Sequence, residues 1–304
     1  FDNTGTLTAT NTVTNSGTFT NKTAGTLTNI NTVTNYETFT NDGSFTAADL
    51  ENKETSTFDN TGTLTATNTV TNSGTFTNYT AGTLTNINTV TNYETFTNDG
   101  SFTAADLENK ETSTFDNTGT LTATNTVTNS GTFTNKTAGT LTATNTVTNS
   151  GTFTNETAGT LTASNTVTNY ETFTNDGSFT AADLENKETS TFDNTGTLTA
   201  TNTVTNSGTF TNKTAGTFTA TNTVTNSGTF TNETAGTLTA TNTVTNYETF
   251  TNDGSFTAAD LENKETSTFD NTGTLTATNT VTNAGTFTNK TAGTLTATNT
   301  VTNS

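Results

Sequence analysis

Large apolar residues recur along this chain at intervals of six, six and eight positions, beginning Leu7, Val13, Phe19 and Leu27. They sort into three columns. One runs Leu7, Leu27, Phe45, Leu64 and on to Leu295; a second runs Val13, Val33, Leu50, Val70 and on to Val301; a third runs Phe19, Phe39, Phe58, Phe76 and on to Phe287. In residues 5–24 the odd positions carry Gly5, Leu7, Ala9, Asn11, Val13, Asn15, Gly17, Phe19 and Asn21, while the even ones are mostly threonine. A period of two is that of a strand with one buried face, so the odd set is predicted inside and threonine outside. The same alternation, with the Thr and Gly content, argues against helix. One stretch departs from it. Parity shifts between Phe45 and Leu50, and Ala47–Glu54 tolerates helix, so a single helical turn is predicted there.

One passage through the three columns takes 20, 18 or 19 residues: Leu7 to Leu27, Leu27 to Phe45, Phe45 to Leu64. A fixed period near this length marks a solenoid. The predicted fold is all-β: a parallel β-helix of 18–20 residues per coil and about 15–16 coils, with three short strands and three corners in a triangular cross-section. At ~4.8 Å per coil such a stack is a rod on the order of 70 Å long. The core is Leu7, Val13, Phe19, Leu27, Val33, Phe39, Phe45, Leu50, Phe58 and their equivalents. Asn11, Asn15 and Asn21, beside the corners, are expected to point inward and form ladders that satisfy the turn backbone. Larger cassettes, 1–57, 58–114, 115–191, 192–268 and 269–304, divide one continuous array. The pattern starts and stops in mid-coil, which reads as a window of a longer protein.

Composition sharpens this picture. Only thirteen residue types occur, threonine fills 103 of 304 positions, and Pro, Cys, Met, Trp, His, Arg and Gln are absent. The formal charge is −19, from 27 acids against 8 lysines, a poor balance for nucleic-acid binding. No apolar window of ~20 residues spans a membrane. Without His, Cys or Arg, and without a nucleophile elbow or phosphate loop, the sequence predicts no enzyme and requires no cofactor.

Three features invite chemistry. The segment Tyr36–Asn60 recurs from Tyr93, Tyr170 and Tyr247 and holds 24 of the 27 acids. Asp42, Asp49 and Glu51 offer hard oxygens for Ca²⁺, although their spacing matches neither an EF-hand nor the glycine-rich calcium repeats. The alternative is a solvated acidic stripe that blocks lateral pairing of sheets. Second, Thr6 and Thr8, Thr12 and Thr14, and Thr18 and Thr20 point outward as Thr-x-Thr pairs on all three faces, similar to the ice-binding face of insect β-helical antifreeze proteins. An ice binder needs only one such face, and the outward Ile30 and Ile87 interrupt one of them. Third, sequons at Asn21, Asn78, Asn135 and Asn155, among others, fall at the eight-residue corner, where inward parity favours a structural ladder over glycosylation.

Runs such as GTLTATNTVTNSGTFTN resemble the repeats of large bacterial secreted β-solenoids, the autotransporter passengers and filamentous-haemagglutinin-like adhesins. The resemblance covers the whole chain. It implies a right-handed solenoid, an extracellular or cell-surface location in a bacterium, and a stalk or adhesive role. The expected function is therefore an extracellular structural or adhesive fibre that associates with itself end to end or laterally, or meets a host surface through parts outside this window. The alternatives are an ice-binding rod and a calcium-stiffened adhesin.

Overall fold

A computed structural model describes all 304 residues, and they form 46 β-strands and no helix. The chain makes two compact units: Phe1–Val147 with Gly151–Phe153, and Thr148–Ser150 with Thr154–Ser304. Each is a parallel β-solenoid, and together they contain about fifteen coils, as the column spacing predicts.

In the first unit every coil contributes one strand to each of three parallel ladders. The phenylalanine ladder stacks Thr18–Asn21 on Thr38–Asn41, with Phe19 against Phe39. The leucine ladder stacks Thr6–Ala9 on Thr26–Asn29, with Leu7 against Leu27. The valine ladder stacks Val13–Asn15 on Thr32–Asn35, with Val33 against Leu50 of the next coil. Register is fixed because a slip of one residue would put every core side chain in water. Leu27, Val33, Phe39, Phe45, Leu50 and Phe58 are fully buried and Phe19 nearly so. Leu7 and Val13, in a coil with a neighbour on one side, are half-buried.

The second unit repeats this arrangement from Thr160 to Asn303. There the corners prove unequal. Thr160–Asn169 and Ser178–Asn186 run as single strands through the corner between the leucine and valine ladders, so these two ladders form one bent sheet. The corner between the phenylalanine and leucine ladders interrupts the strands in both units, as a turn at Thr23–Ala24 and Thr157–Ala158 and as a bend at Asp42–Gly43 and Asp176–Gly177.

Two expectations are corrected. Ala47–Glu54 contains no helix: Asp49–Asn52 is a strand, in register with Thr32–Asn35. Its sequence Asp-Leu-Glu-Asn keeps the apolar-then-Asn pattern of Thr-Val-Thr-Asn, and the parity shift is absorbed by Ala48 at the shallow corner. Ladder pairing outweighs the local preference of so short a segment. Asn11 is exposed, not inward, because the shallow corner at residues 10–12 breaks the alternation. Its counterparts form an outer ladder instead, with Asn88 donating to Asn68 at 3.2 Å and Asn145 to Asn125 at 3.2 Å.

Asn15 and Asn21 are buried in two inner ladders, the second of which begins at Asn3, whose Nδ2 donates to Asn21 Oδ1 at 2.8 Å. Asn15 Nδ2 donates to Asn35 Oδ1 at 2.8 Å, and the series continues through Asn52, Asn72, Asn92, Asn109 and Asn129. Asn21 continues likewise through Asn41, Asn60, Asn78, Asn98, Asn117 and Asn135. Each amide also donates to a backbone carbonyl of the following coil, as Asn15 does to Thr38 at 2.8 Å. No buried side-chain nitrogen or oxygen lacks a partner. This matters because an orphan buried polar group costs ~1–3 kcal/mol.

Glycine serves these corners in an unexpected way. None has positive φ; the left-handed positions are Thr55, Thr112, Ala138 and their equivalents, with φ of 63–68°. Glycine is needed instead for close approach. A Cβ on Gly119 would lie 2.1 Å from the Gly100 carbonyl oxygen of the coil beneath.

Candidate binding surfaces

With register known, each outward residue can be assigned to a face. On the phenylalanine face the threonine pairs are interrupted by acids. Asp59 lies between Thr40 and Thr77, and Asp116 between Thr97 and Thr134. On the valine face Asp49 and Glu51 replace the threonine pair and lie in register with Thr32 and Thr34. On the leucine face no substitution introduces charge. In the first unit the pairs are Thr6/Thr8, Thr26/Thr28, Ser44/Thr46, Thr63/Thr65, Thr83/Thr85, Ser101/Thr103, Thr120/Thr122 and Thr140/Thr142, each in register with the next. The outward pair Thr12/Thr14 thus begins a face that acids later interrupt, and Thr18/Thr20 lies on one where Asp2 already stands in register with Thr20, whereas Thr6/Thr8 begins one that stays neutral. Ile30 and Ile87 are exposed, but at the corner beyond the leucine strands, so the face itself stays regular.

The acids are engaged one by one. Asp42 accepts a 2.7 Å hydrogen bond from the Thr61 hydroxyl. Asp49 accepts from Asn68 Nδ2 at 2.7 Å, and from the Thr69 hydroxyl at 2.7 Å. Glu51 pairs with Lys53 at 2.6 Å. No group of three carboxylates capable of holding a metal ion is assembled, so Asp42, Asp49 and Glu51 are not brought together. The eight-residue step from Leu50 to Phe58 opens a cleft of about 340 Å³ lined by Glu54, Thr55, Ser73, Gly74, Thr75, Glu94 and Thr95. Exposed Tyr36 lies beside it, against Lys53, Glu54 and Ser73.

One acid differs from its repeats. Asp116, Asp193 and Asp270 each face a lysine of the following corner, Lys136, Lys213 and Lys290, at 3.6, 3.6 and 3.2 Å. Asp59 faces Tyr79 instead. Burial holds the Asp59 carboxyl above the usual range despite the hydrogen bond from Tyr79. The Asp59 charge in turn pushes the Tyr79 phenol up.

The sequon residues Asn21, Asn78, Asn135 and Asn155 are fully buried in the inner ladders. Their Nδ2 atoms point into the stack; those of Asn21, Asn78 and Asn155 meet the next asparagine at 2.8 Å.

The fold and surfaces define the class: a threonine-rich parallel β-solenoid repeat protein. Comparison with protein-family models, with curated proteins and with solved structures found no match. The solenoid part of the resemblance is therefore carried by the fold, and the link to autotransporter passengers and haemagglutinin-like adhesins has no support from relatives.

Proposed function

We propose that this chain is a stiff structural element of an extracellular stalk or fibre, one that sets distance between the parts it connects. The observation that supports this is the nearest-neighbour character of the bonding. Phenylalanine rings, asparagine amides and backbone ladders all join a coil to the coils directly before and after it. In such an array stability and length add coil by coil. The repeated cassette then changes length without changing the cross-section. Excising residues 58–114 joins Thr57 to Phe115 in the register that Phe58 now holds. The variant should remain folded and shorten by three coils, about 14 Å, in small-angle scattering. Loss of the β-sheet circular dichroism spectrum, or a change in maximum dimension unrelated to three coils, would overturn the reading. Location is tested separately, by antibody or protease access to the chain on intact cells.

A further inference from the structure

We propose that the leucine face is an ice-binding surface, a function independent of the structural role. Three observations converge on it.

The first is charge segregation. The chain has 27 acids and 8 lysines, yet none occupies an outward position of the leucine strands. In the second unit the face again reads Thr160/Thr162, Ser178/Thr180, Thr197/Thr199, Thr217/Thr219, Thr237/Thr239, Ser255/Thr257, Thr274/Thr276 and Thr294/Thr296, all in register. A charge pressed against a crystal must give up its own hydration shell, at a large cost. The acids populate the other two faces and the corners, and this one stays neutral.

The second is regularity. The leucine strands of the first unit pair in unbroken register from Thr6–Ala9 to Thr140–Ala143. Beneath them, successive rings of the phenylalanine column from Phe19 to Phe153 are 4.6–4.9 Å apart and lie within 5–13° of parallel. Ordinary sheets twist by about 20–25° per strand, and side-chain ladders such as these oppose that twist. The face repeats at about 4.8 Å from coil to coil and at ~6.6 Å between outward residues of one strand. The shorter repeat is close to an oxygen spacing on hexagonal ice.

The third is availability. Threonine hydroxyls that bond within the protein are found at corners and beside acids, as Thr61 to Asp42 and Thr69 to Asp49. Thr28, Thr65, Thr85 and Thr122 are half-exposed at outward positions of the leucine strands. Each coil presents two hydroxyl-bearing side chains on this face, Thr with Thr or Ser with Thr. Two hydroxyls per coil over eight coils of one unit act together, so individually weak contacts add to a very slow release. A crystalline polysaccharide fits less well, because the exposed aromatics Tyr36, Tyr79 and Tyr93 are at corners and none is on this face.

The test uses the 304-residue chain in assays of thermal hysteresis and ice recrystallisation. Thr85→Lys alters the leucine face and Thr97→Lys the phenylalanine face of the same coil. With unchanged circular dichroism in both, the first should lose the first unit's share of the activity and the second should keep all of it. Should T85K fail to fold, Thr85→Val, which keeps the methyl group and removes the hydroxyl, takes its place and should also lose activity. Inertness of the unmodified chain toward ice, or equal loss in both variants, would refute the proposal. Adsorption to crystalline cellulose or chitin without any effect on ice would refute it as well, in favour of a glycan surface.

Discussion

Asn98→Ala probes what the inner ladders contribute. Asn98 is fully buried. Its Nδ2 donates to Asn117 Oδ1 at 2.7 Å and to the Thr120 carbonyl at 3.2 Å, and its Oδ1 accepts from Asn78 at 2.8 Å. Truncation removes both amide-to-amide bonds. Asn78 Nδ2 keeps the Ser101 carbonyl at 3.0 Å, but Asn117 Oδ1 is stranded in the core. These two bonds, the lost bond to the Thr120 carbonyl and one orphaned acceptor amount to about 2–4 kcal/mol. A stack of coils need not unfold in one step, so the proper assay is native-state hydrogen exchange of individual amides. Protection of the coils around residue 98 should fall by about thirty- to several-hundred-fold, taking ~1.4 kcal/mol per decade. Distant coils should be unaffected. The outward Thr97→Ala on the same strand is the reference, with an effect within about 0.5 kcal/mol. If the two variants exchange alike, the ladder is incidental to stability and the reasoning fails.

Gly119→Ala forces a methyl group against the Gly100 carbonyl and should lower the melting temperature, although the φ of Gly119 is one that alanine readily adopts. A neutral result would show that the coils can separate locally without cost. Asp59 supplies a pH test. Its carboxyl binds a proton more readily folded than unfolded, so its contribution to stability falls as pH rises through the folded value, above the ordinary 3.8. Tyr79→Lys recreates the pairing that Asp116 has with Lys136, and should flatten that part of the stability–pH curve while changing stability at neutral pH only slightly. An unaltered curve would dissociate Asp59 from the effect.

Much of this molecule was legible because one rule, period two, holds over most strands. The rule places Leu27, Val33, Phe39 and the inner Asn15 and Asn21 without any knowledge of the partner strands. It fails where the backbone bends gently. Asn11 shares the parity of Val13, yet the shallow corner turns it outward. Asp49–Asn52 looked helical because Ala, Leu and Glu favour helix, and only cross-coil register revealed the equivalence with Thr32–Asn35. The role of glycine was not legible at all. None has positive φ, and the requirement is room for a neighbouring carbonyl, which is a property of stacking. The asymmetry of the faces was likewise hidden. Threonine pairs are everywhere in the sequence, and the neutral face emerges only once each acid is assigned to its ladder.

The inner asparagine ladders also give the stack a direction. Every amide donates toward the following coil, from Asn21 to Asn41 to Asn60, and the orientation is locked because the same nitrogen also meets a backbone carbonyl there. Aligned amide dipoles reinforce one another along such a chain. Any cut through the array thus exposes two chemically different surfaces, one ending in carbonyl oxygens and the other in amide hydrogens. Two fragments can join only head to tail, and like ends confront acceptor with acceptor or donor with donor. A solenoid of this kind behaves as a vector: it can be lengthened, shortened or spliced, but its segments cannot be reversed.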